Sequence, residues 1–261
     1  MKDLADYHFQ RLDGQETRAL RAAVDALETA GVRYALAGGW AVYAYHPRIP
    51  SADVDVFVMD DVPDRVSTAL QDQGFGVGEG RQIEFLEANQ RIELWGIGDL
   101  DMGIPDPAYD ARRLLENEVT RVPIPMGKVA IRPQVASPAS LAAMKLVAFH
   151  NRNLAFRGQT DASAQMRLGR TLMPLILARN PGYWLAKAGK DLFDLSLLSE
   201  EAAARQRAVE LLAEQNLAEF VPDLVKDIHP TVAQMARDLA RRVRAPNPVQ
   251  AVIGFFGSSV T

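Results

Sequence analysis

Two aspartates spaced one residue apart, Asp53 and Asp55, lie in the run DVDVFVM of this chain of 261 residues. In a β-strand, side chains two residues apart point to the same face, so the two carboxylates face the same way. Carboxylates held side by side repel each other unless a cation lies between them. Mg²⁺ is commonly bound by one or two carboxylates together with substrate phosphates. The pair therefore predicts metal-assisted chemistry at phosphorus.

A glycine pair, Gly38 and Gly39, follows the predicted strand VRYAL and precedes the aspartates. The apolar segment that begins at Trp40 is predicted to be a short helix, so this turn offers the N–H groups of a helix start to a phosphate. Two prolines then end the helix and leave Arg48 in the loop before the acidic strand. A phosphate-binding turn beside a metal-binding pair is typical of phosphoryl or nucleotidyl transfer.

A third acid is expected on a strand beside the aspartate pair, because a two-metal site needs more than two carboxylates. Glu93 is the first choice, since it lies among apolar neighbours in RIELW, where an unpaired carboxylate would be costly. The alternative is that Glu93 pairs with a basic neighbour such as Arg91. Three other acids also stay open as the third ligand, namely Glu84, Asp99 and Asp101.

Lys145 interrupts an apolar helical stripe in the segment SPASLAAMKLVAFHNR. A lysine on such a face either extends its amine to the surface or presents a fixed positive charge of the kind that a triphosphate requires. In the segment GKDLFDL, Asp191 and Asp194 begin a similar stripe. Lys187 and Lys190 each stand four residues before one of these aspartates, which is the spacing of helical ion pairs.

The composition excludes several classes of protein. Because the chain has no cysteine, it has no disulfide, no thiolate zinc site and no cysteine nucleophile. Its first residues lack the apolar core of a signal peptide, and no apolar run is long enough to span a bilayer, so a cytoplasmic protein without membrane contact is expected.

The net charge of −4 leaves no global basic field to attract nucleic acid. Any RNA would therefore bind through a local patch. The candidate patch consists of Arg237, Arg241, Arg242 and Arg244, for which a solvated helix face is the alternative.

The order of predicted elements indicates an α+β fold. Helices, strands and two hairpins, one around residues 88–90 and one around Met126 and Gly127, are expected in an α/β domain over residues 1–136. The chain then becomes mainly helical, which predicts a second domain over residues 137–261. Its helices are expected from Ser137 onward and over 163–178, 182–199, 201–217 and 230–243.

The pattern GGWA, then Arg48, then DVD resembles the nucleotidyltransferase superfamily, whose members share a Gly-Gly or Gly-Ser turn followed by an Asp-x-Asp strand. With SPASLAAMKLVAFHNR and GKDLFDL, the chain is similar over roughly residues 15–200 to the AbiEii-type branch. That branch includes toxins of bacterial toxin–antitoxin and phage-exclusion systems. The resemblance implies a mixed-sheet nucleotidyltransferase domain and a helical C-terminal domain that contributes to the active-site cleft.

The same resemblance implies Mg²⁺, with Mn²⁺ as a substitute, and an NTP such as ATP as substrate. By their match to the family's motifs, the implied catalytic residues are Asp53, Asp55, Lys145 and Asp191. The implied metal ligands are Asp53, Asp55 and Glu93. The implied nucleotide-binding residues are Gly38, Gly39, Trp40, Arg48, Lys145 and Asp194. In the family, the lysine contacts the nucleotide phosphates and the first aspartate of the Lys-Asp-x-x-Asp-Leu segment completes the active site.

Three features depart from the family pattern. Trp40 stands where many members have Ser or Thr, the acid on the neighbouring strand is glutamate where aspartate is usual, and the stretch from Arg152 to Lys190 is long. The acceptor stays open between tRNA or another RNA, a protein hydroxyl and a small drug, and a cognate antitoxin is an implied partner. The alternatives are an aminoglycoside- or lincosamide-type nucleotidyltransferase, which the GGWA start also resembles, and a non-catalytic nucleotide-binding protein.

Overall fold

The structure, a computed structural model, describes residues 15–49, 51, 54–60, 63–77, 82–85, 90–96, 111–126, 129–156, 181–217 and 221–257. These residues divide between two compact units. The sheet unit holds the described residues between Phe9 and Leu100 and between Leu115 and Ser137. The helical unit holds residues 111–114 and the described residues from Pro138 onward.

The sheet unit alternates helices and strands. In chain order its elements are α1 (Gln15–Ala30), β1 (Tyr34–Leu36), α2 (Gly38–Tyr45), β2 (Val54–Val58), α3 (Pro63–Asp72), β3 (Phe75–Val77), β4 (Gln82–Phe85) and β5 (Gln90–Gly96). The later strands of the sheet unit are β6 (Val119–Arg121), β7 (Ile124–Met126), β8 (Val129–Ile131) and β9 (Gln134–Ala136); the short helix α4 (Ala111–Leu115), which precedes them in the chain, belongs to the helical unit except for Leu115.

Seven of the described strands form one mixed sheet in the order β3-β4-β5-β2-β1-β9-β6. At its centre, β2 pairs in parallel with β5 and antiparallel with β1. All residues of β2 are buried except Asp55, which is half-buried. The sequence predicted a strand that carries Asp53 and Asp55 on one face and buries Val54 and Val56 on the other; the buried valines and Asp55 are as predicted, and Asp53 lies outside the described residues.

The strand segments around Met126 form the predicted hairpin, but they belong to two separate ladders. β7 and β8 make a two-stranded sheet of their own, whereas β6 and β9 pair within the main sheet. Pro123 and Pro133 stand between the two ladders. Because proline has no N–H to donate, a continuous ladder is disfavoured at these positions.

The helical unit is built around one helix that is buried on all sides. Its elements are α5 (Pro138–Phe156), α6 (Pro181–Leu198), α7 (Ala202–Ala213), α8 (Val221–Leu224), α9 (Pro230–Val243) and α10 (Pro248–Phe256). α6 packs against α5, α9 and α10, and its residues from Ala188 to Leu198 are all buried. A helix that is buried all round is a core helix, so its charged residues need partners inside the unit.

The α+β prediction is confirmed, and most helix boundaries agree with the sequence. The helix expected over 201–217 ends at Ala213 and is followed by a turn in which Asn216 has a positive φ of 60°. The C-terminal helix α10 was not predicted; Val252 and Phe256 on it are buried, and it packs against α6. The helix expected over 163–178 lies outside the described residues.

Glu28 connects α1 to the sheet. Its carboxylate accepts hydrogen bonds from both terminal nitrogens of Arg121 on β6, at 2.9 and 2.8 Å, and from the hydroxyl of Tyr34 on β1, at 2.9 Å. The buried Tyr34 hydroxyl also accepts a hydrogen bond from the Gln134 N–H at 3.3 Å. Hydrogen bonding by Arg121 lowers the pKa of Glu28, and burial offsets only part of this effect.

We expect Glu28→Gln to lower the free energy of unfolding near neutral pH by roughly 0.2–1 kcal/mol, because water screens a partly exposed ion pair. The Glu28 and Arg121 side chains are 35% and 53% exposed. Since the pKa of Glu28 is lowered on folding, its stabilisation is present above the ordinary value of 4.5. It is lost as the pH falls through the folded-state pKa.

Urea unfolding at a series of pH values tests this. The curves of the wild type and Glu28→Gln should converge in acid, and a difference that stayed constant with pH would contradict the assignment. Asp25→Asn is the control, because Asp25 pairs with Arg21 at the surface, where both side chains are more than half exposed.

Candidate functional site

The carboxylate of Asp55 lies against the first residue of α2. A Cβ atom added at Gly38 would be 1.7 Å from Asp55 Oδ2 and 2.6 Å from Asp55 Cγ. The φ of Gly38 is +58°, in a region that L side chains rarely adopt. The backbone fixes the approach further, because the Ala37 N–H donates to the Asp55 carbonyl at 2.9 Å. Both the conformation and the close carboxylate therefore require glycine at position 38.

The start of α2 has the features of a phosphate-binding turn. Gly38, Gly39 and Trp40 are its first three residues, and the N-cap residue Ala37 makes no side-chain capping bond. The first N–H groups of a helix have no partner within the helix, and the helix dipole adds partial positive charge there. A Cβ at Gly39 would lie 2.6 Å from Ser51 Oγ. A carboxylate and a hydroxyl thus lie against this helix start.

The sheet register places the other predicted metal ligand on the adjacent strand. Asp55 on β2 is the register partner of Glu93 on the parallel strand β5. Asp53 lies outside the described residues, as does the side chain of Glu93, so their roles stay predictions. Within the described part of the chain, no group of three or more His, Asp or Glu side chains could hold a metal ion. Carboxylate oxygens, the donors that Asp55 brings, are nevertheless the ligands that Mg²⁺ takes.

Two predicted nucleotide-binding residues differ in exposure. The Trp40 side chain is buried and packs edge to face on Tyr43, with ring centroids 5.4 Å apart. Any contact of Trp40 with a nucleotide would therefore come from its backbone N–H. Arg48 is exposed in the turn after α2, where its N–H donates to the His46 carbonyl at 2.7 Å. The fallback acids Asp99 and Asp101, and the side chain of Glu84, are outside the described residues.

Lys145 lies at the centre of a row of ion pairs in the helical unit. Its Nζ is 2.7 Å from Asp191 Oδ1 and 3.1 Å from Asp194 Oδ2. The second oxygen of Asp191 pairs with Arg152, and the second oxygen of Asp194 lies 2.5 Å from Lys190 Nζ. We call this row, Arg152–Asp191–Lys145–Asp194–Lys190, the charge chain, because positive and negative groups alternate along it.

Lys190, Asp191 and Asp194 of the charge chain are buried, and Lys145 and Arg152 are half-buried. The Asp191 and Asp194 side chains are 3% and 1% exposed, and that of Lys145 is 14% exposed. Burial acts to raise the pKa of Asp194, but Lys190 and Lys145 outweigh it and lower that pKa. Burial lowers the pKa of Lys190, and Asp194 offsets only part of this effect. Buried charges persist when they are paired, so Lys145 is anchored by carboxylates and does not simply extend to the surface.

Sequence reasoning anticipated part of this row. The predicted ion pair between Lys190 and Asp194 is confirmed. Arg152 was missed, although a signal was present: it stands seven residues after Lys145 on α5, which places the two on the same helix face. Only the packing of α5 against α6 reveals that both residues meet Asp191.

The arginine patch lies at the C-terminal end of α9. Arg241, Arg242 and Arg244 are exposed and Arg237 is half-buried. Arg241 pairs with Asp238, and cations in the last turn of a helix interact favourably with the helix dipole. The helix dipole and the pairing with Asp238 therefore give a local structural reason for arginines at this helix end. RNA binding by the patch stays a prediction.

Comparisons with known proteins identify no family. No protein-family model matches the chain, and no curated protein matches it. The structure is similar to the crystal structure of an antigenic nucleotidyltransferase-like protein from Paracoccidioides brasiliensis, with 15% sequence identity and a TM-score of 0.42. The match covers 92% of this chain and 97% of the other. A likeness of this degree carries no argument about function, which has to be inferred from the residues.

None of the described helices is long and apolar enough to cross a membrane.

A comparison of two glycine substitutions tests the contact between Asp55 and Gly38. Gly31 and Gly38 have nearly the same positive φ, +59° and +58°, but a Cβ at Gly31 would meet only the end of the Arg65 side chain, at 3.2 Å. Alanine at either position should cost about 1–2 kcal/mol for the left-handed conformation. Gly38→Ala should lose more free energy of unfolding than Gly31→Ala, because the Asp55 carboxylate must also move.

Chemical denaturation of the two variants measures this difference. In a protein that already carries Asp55→Gly, Gly38→Ala should lower the free energy of unfolding by no more than Gly31→Ala does. Equal losses in Gly31→Ala and Gly38→Ala would show that the carboxylate does not occupy the space beside Gly38.

Proposed function

We propose that this protein is a Mg²⁺-dependent nucleotidyltransferase of the AbiEii type that moves a nucleoside monophosphate from an NTP to a hydroxyl of a macromolecular acceptor. The observation that carries the proposal is the Asp55 carboxylate lying against the glycine turn at the start of α2. A carboxylate for a metal and a helix start for a phosphate are the two parts that nucleotidyl transfer requires.

In this proposal Asp53 and Asp55 hold the metal and Glu93 assists. Mg²⁺ bound there supplies positive charge against the triphosphate. The N–H groups of Gly38 and Gly39 bind phosphate oxygens. The acceptor oxygen forms a bond to the α-phosphorus while the bond from that phosphorus to the bridging oxygen breaks. Pyrophosphate leaves, and the hydroxyl proton is released.

Lys145 is assigned to the nucleotide phosphates by the family resemblance alone. The contacts of Lys145 with Asp191 and Asp194 support a positioning role for both aspartates. A non-catalytic nucleotide-binding protein is disfavoured, because the sequence carries both aspartates of the Asp-x-Asp pair and binding alone does not need two metal ligands. Within this proposal the acceptor is RNA, such as tRNA, or a protein hydroxyl, and a cognate antitoxin is the expected partner.

Loss of the Asp55 carboxylate should abolish transfer. We expect Asp55→Asn, and likewise Asp53→Asn, to remove a ligand from a doubly charged ion and thereby weaken Mg²⁺-dependent NTP binding. The assay incubates the protein with each NTP labelled at the α-phosphate, Mg²⁺ and total cell RNA or protein. Asp60→Asn is the control, since the Asp60 carboxylate accepts hydrogen bonds from Arg33, at 2.7 and 2.9 Å. Full transfer by Asp55→Asn would refute the site.

The arginine patch is proposed to bind an RNA acceptor. Replacing Arg241, Arg242 and Arg244 by alanine should lower RNA labelling without changing NTP binding. Because single-stranded RNA releases counterions in proportion to the phosphates contacted, the log–log salt dependence of RNA affinity should flatten by about two. Arg207→Ala is the control, because Arg207 lies on α7 and pairs with Glu214 at 2.9 Å.

The result also separates the acceptor classes. An unchanged salt slope in the triple variant would exclude the patch as an RNA-binding surface. Efficient labelling of an aminoglycoside or a lincosamide, with no labelling of RNA or protein, would favour the small-drug alternative.

A further inference from the structure

The charge chain ends in a cation on both sides. Lys145 faces two carboxylates, and these three groups alone carry one positive and two negative charges, a net charge of −1. Such a group of charges would repel a phosphate. Arg152 and Lys190 add two positive charges and bring the net charge of the chain to +1. Among these five described side chains, the two end cations therefore reverse the sign of the summed charge.

The geometry divides each carboxylate between two cations. Asp191 contacts Lys145 through Oδ1 and Arg152 through Oδ2. Asp194 contacts Lys145 through Oδ2 and Lys190 through Oδ1. Because charge interactions are stronger in a buried site than in water, this division decides how much positive charge Lys145 retains for a ligand. Lys187, which is half-buried on the same helix as Lys190 and acts on it electrostatically, adds further positive charge.

We propose that Arg152 and Lys190 are positioning residues, which hold Asp191 and Asp194 so that these carboxylates orient Lys145 without cancelling its charge toward the nucleotide phosphates. The inference rests on the proposed function, because the phosphate-bearing ligand is the NTP proposed there. It adds two residues that the sequence did not assign to the site.

A purely structural role makes a different prediction. If the end cations only neutralise buried carboxylates, their removal lowers stability but leaves the phosphate affinity of the folded protein unchanged. If they set the charge around Lys145, phosphate affinity follows the net charge of the chain. A variant that loses one cation and one carboxylate together restores the net charge, so it separates the two roles.

Isothermal titration with inorganic tripolyphosphate and with ATP measures the affinity. Arg152→Gln brings the net charge to zero and should weaken binding by about tenfold, the effect of losing about 1.4 kcal/mol. Lys190→Met should act in the same direction. Arg152→Lys keeps the charge and should stay near the wild type. The double variant Arg152→Gln with Asp191→Asn returns the net charge to +1 and leaves Asp194 to orient Lys145, so it should regain affinity. Arg207→Gln, at a surface ion pair, is the control.

A double-mutant cycle with Lys145→Met assigns the effect to Lys145. Lys145→Met should itself weaken binding, and Arg152→Gln should have little further effect in that background. If Arg152→Gln does not fold, the double variant with Asp191→Asn decides the matter, because it removes the unpaired carboxylate. Wild-type affinity in that double variant supports the proposal, and an affinity as low as that of Lys145→Met overturns it.

The outcomes separate this inference from the proposed function. An unchanged affinity in Arg152→Gln, with a wild type that binds ATP, overturns the inference alone. An unchanged affinity in Lys145→Met also removes Lys145 from the proposed nucleotide-binding residues. A wild type that binds neither tripolyphosphate nor any NTP overturns both.

Discussion

Asp55 can lie against the first turn of α2 only because residue 38 has no side chain. The carboxylate occupies the space of a Cβ atom at Gly38, and the backbone there has the positive φ that glycine tolerates. β1 and β2 pair antiparallel, so the turn that leaves β1 ends beside Asp55. The Ala37 N–H bonded to the Asp55 carbonyl fixes this arrangement. The positions of α2, of its N–H groups and of the candidate metal ligand all depend on this one close approach.

Charged side chains have different surroundings in the two units. In the sheet unit, Asp55 is a half-buried carboxylate beside the positive end of a helix dipole. In the helical unit, the core helix α6 carries Lys190, Asp191 and Asp194 in a buried stretch. Removing one member of a buried ion pair leaves an unpaired charge and is strongly destabilising. The charge chain therefore fixes the packing of α5 on α6 as well as the orientation of Lys145.

Local features of the fold could be predicted from the sequence, and long-range contacts could not. The glycine pair and the alternation of apolar residues act over a few residues, so α2 and β2 were predicted near their observed bounds. The pair Lys190–Asp194 follows from helical spacing. The contact between Lys145 and Asp191 spans 46 positions and depends on helix packing, which periodicity does not specify. For the same reason the contact of Arg152 with Asp191 was not predicted. The missed helix α10 did have a start signal, since Asn247 accepts a hydrogen bond from the Val249 N–H at 3.1 Å and Pro248 follows it.

In the proposed function, β2 holds a divalent metal whose bound triphosphate lies against the start of α2. The most direct test of this arrangement is an NMR titration with Mn²⁺ and a non-hydrolysable NTP analogue, because Mn²⁺ broadens the amide signals of nearby residues. If this arrangement is correct, the amide signals of Gly38 and Gly39 should broaden when both Mn²⁺ and the analogue are present, and the signal of Gly31, at the opposite end of β1, should broaden less. Asp55→Asn should remove the effect. Sharp signals from Gly38 and Gly39 in a protein saturated with the metal-bound analogue would contradict it.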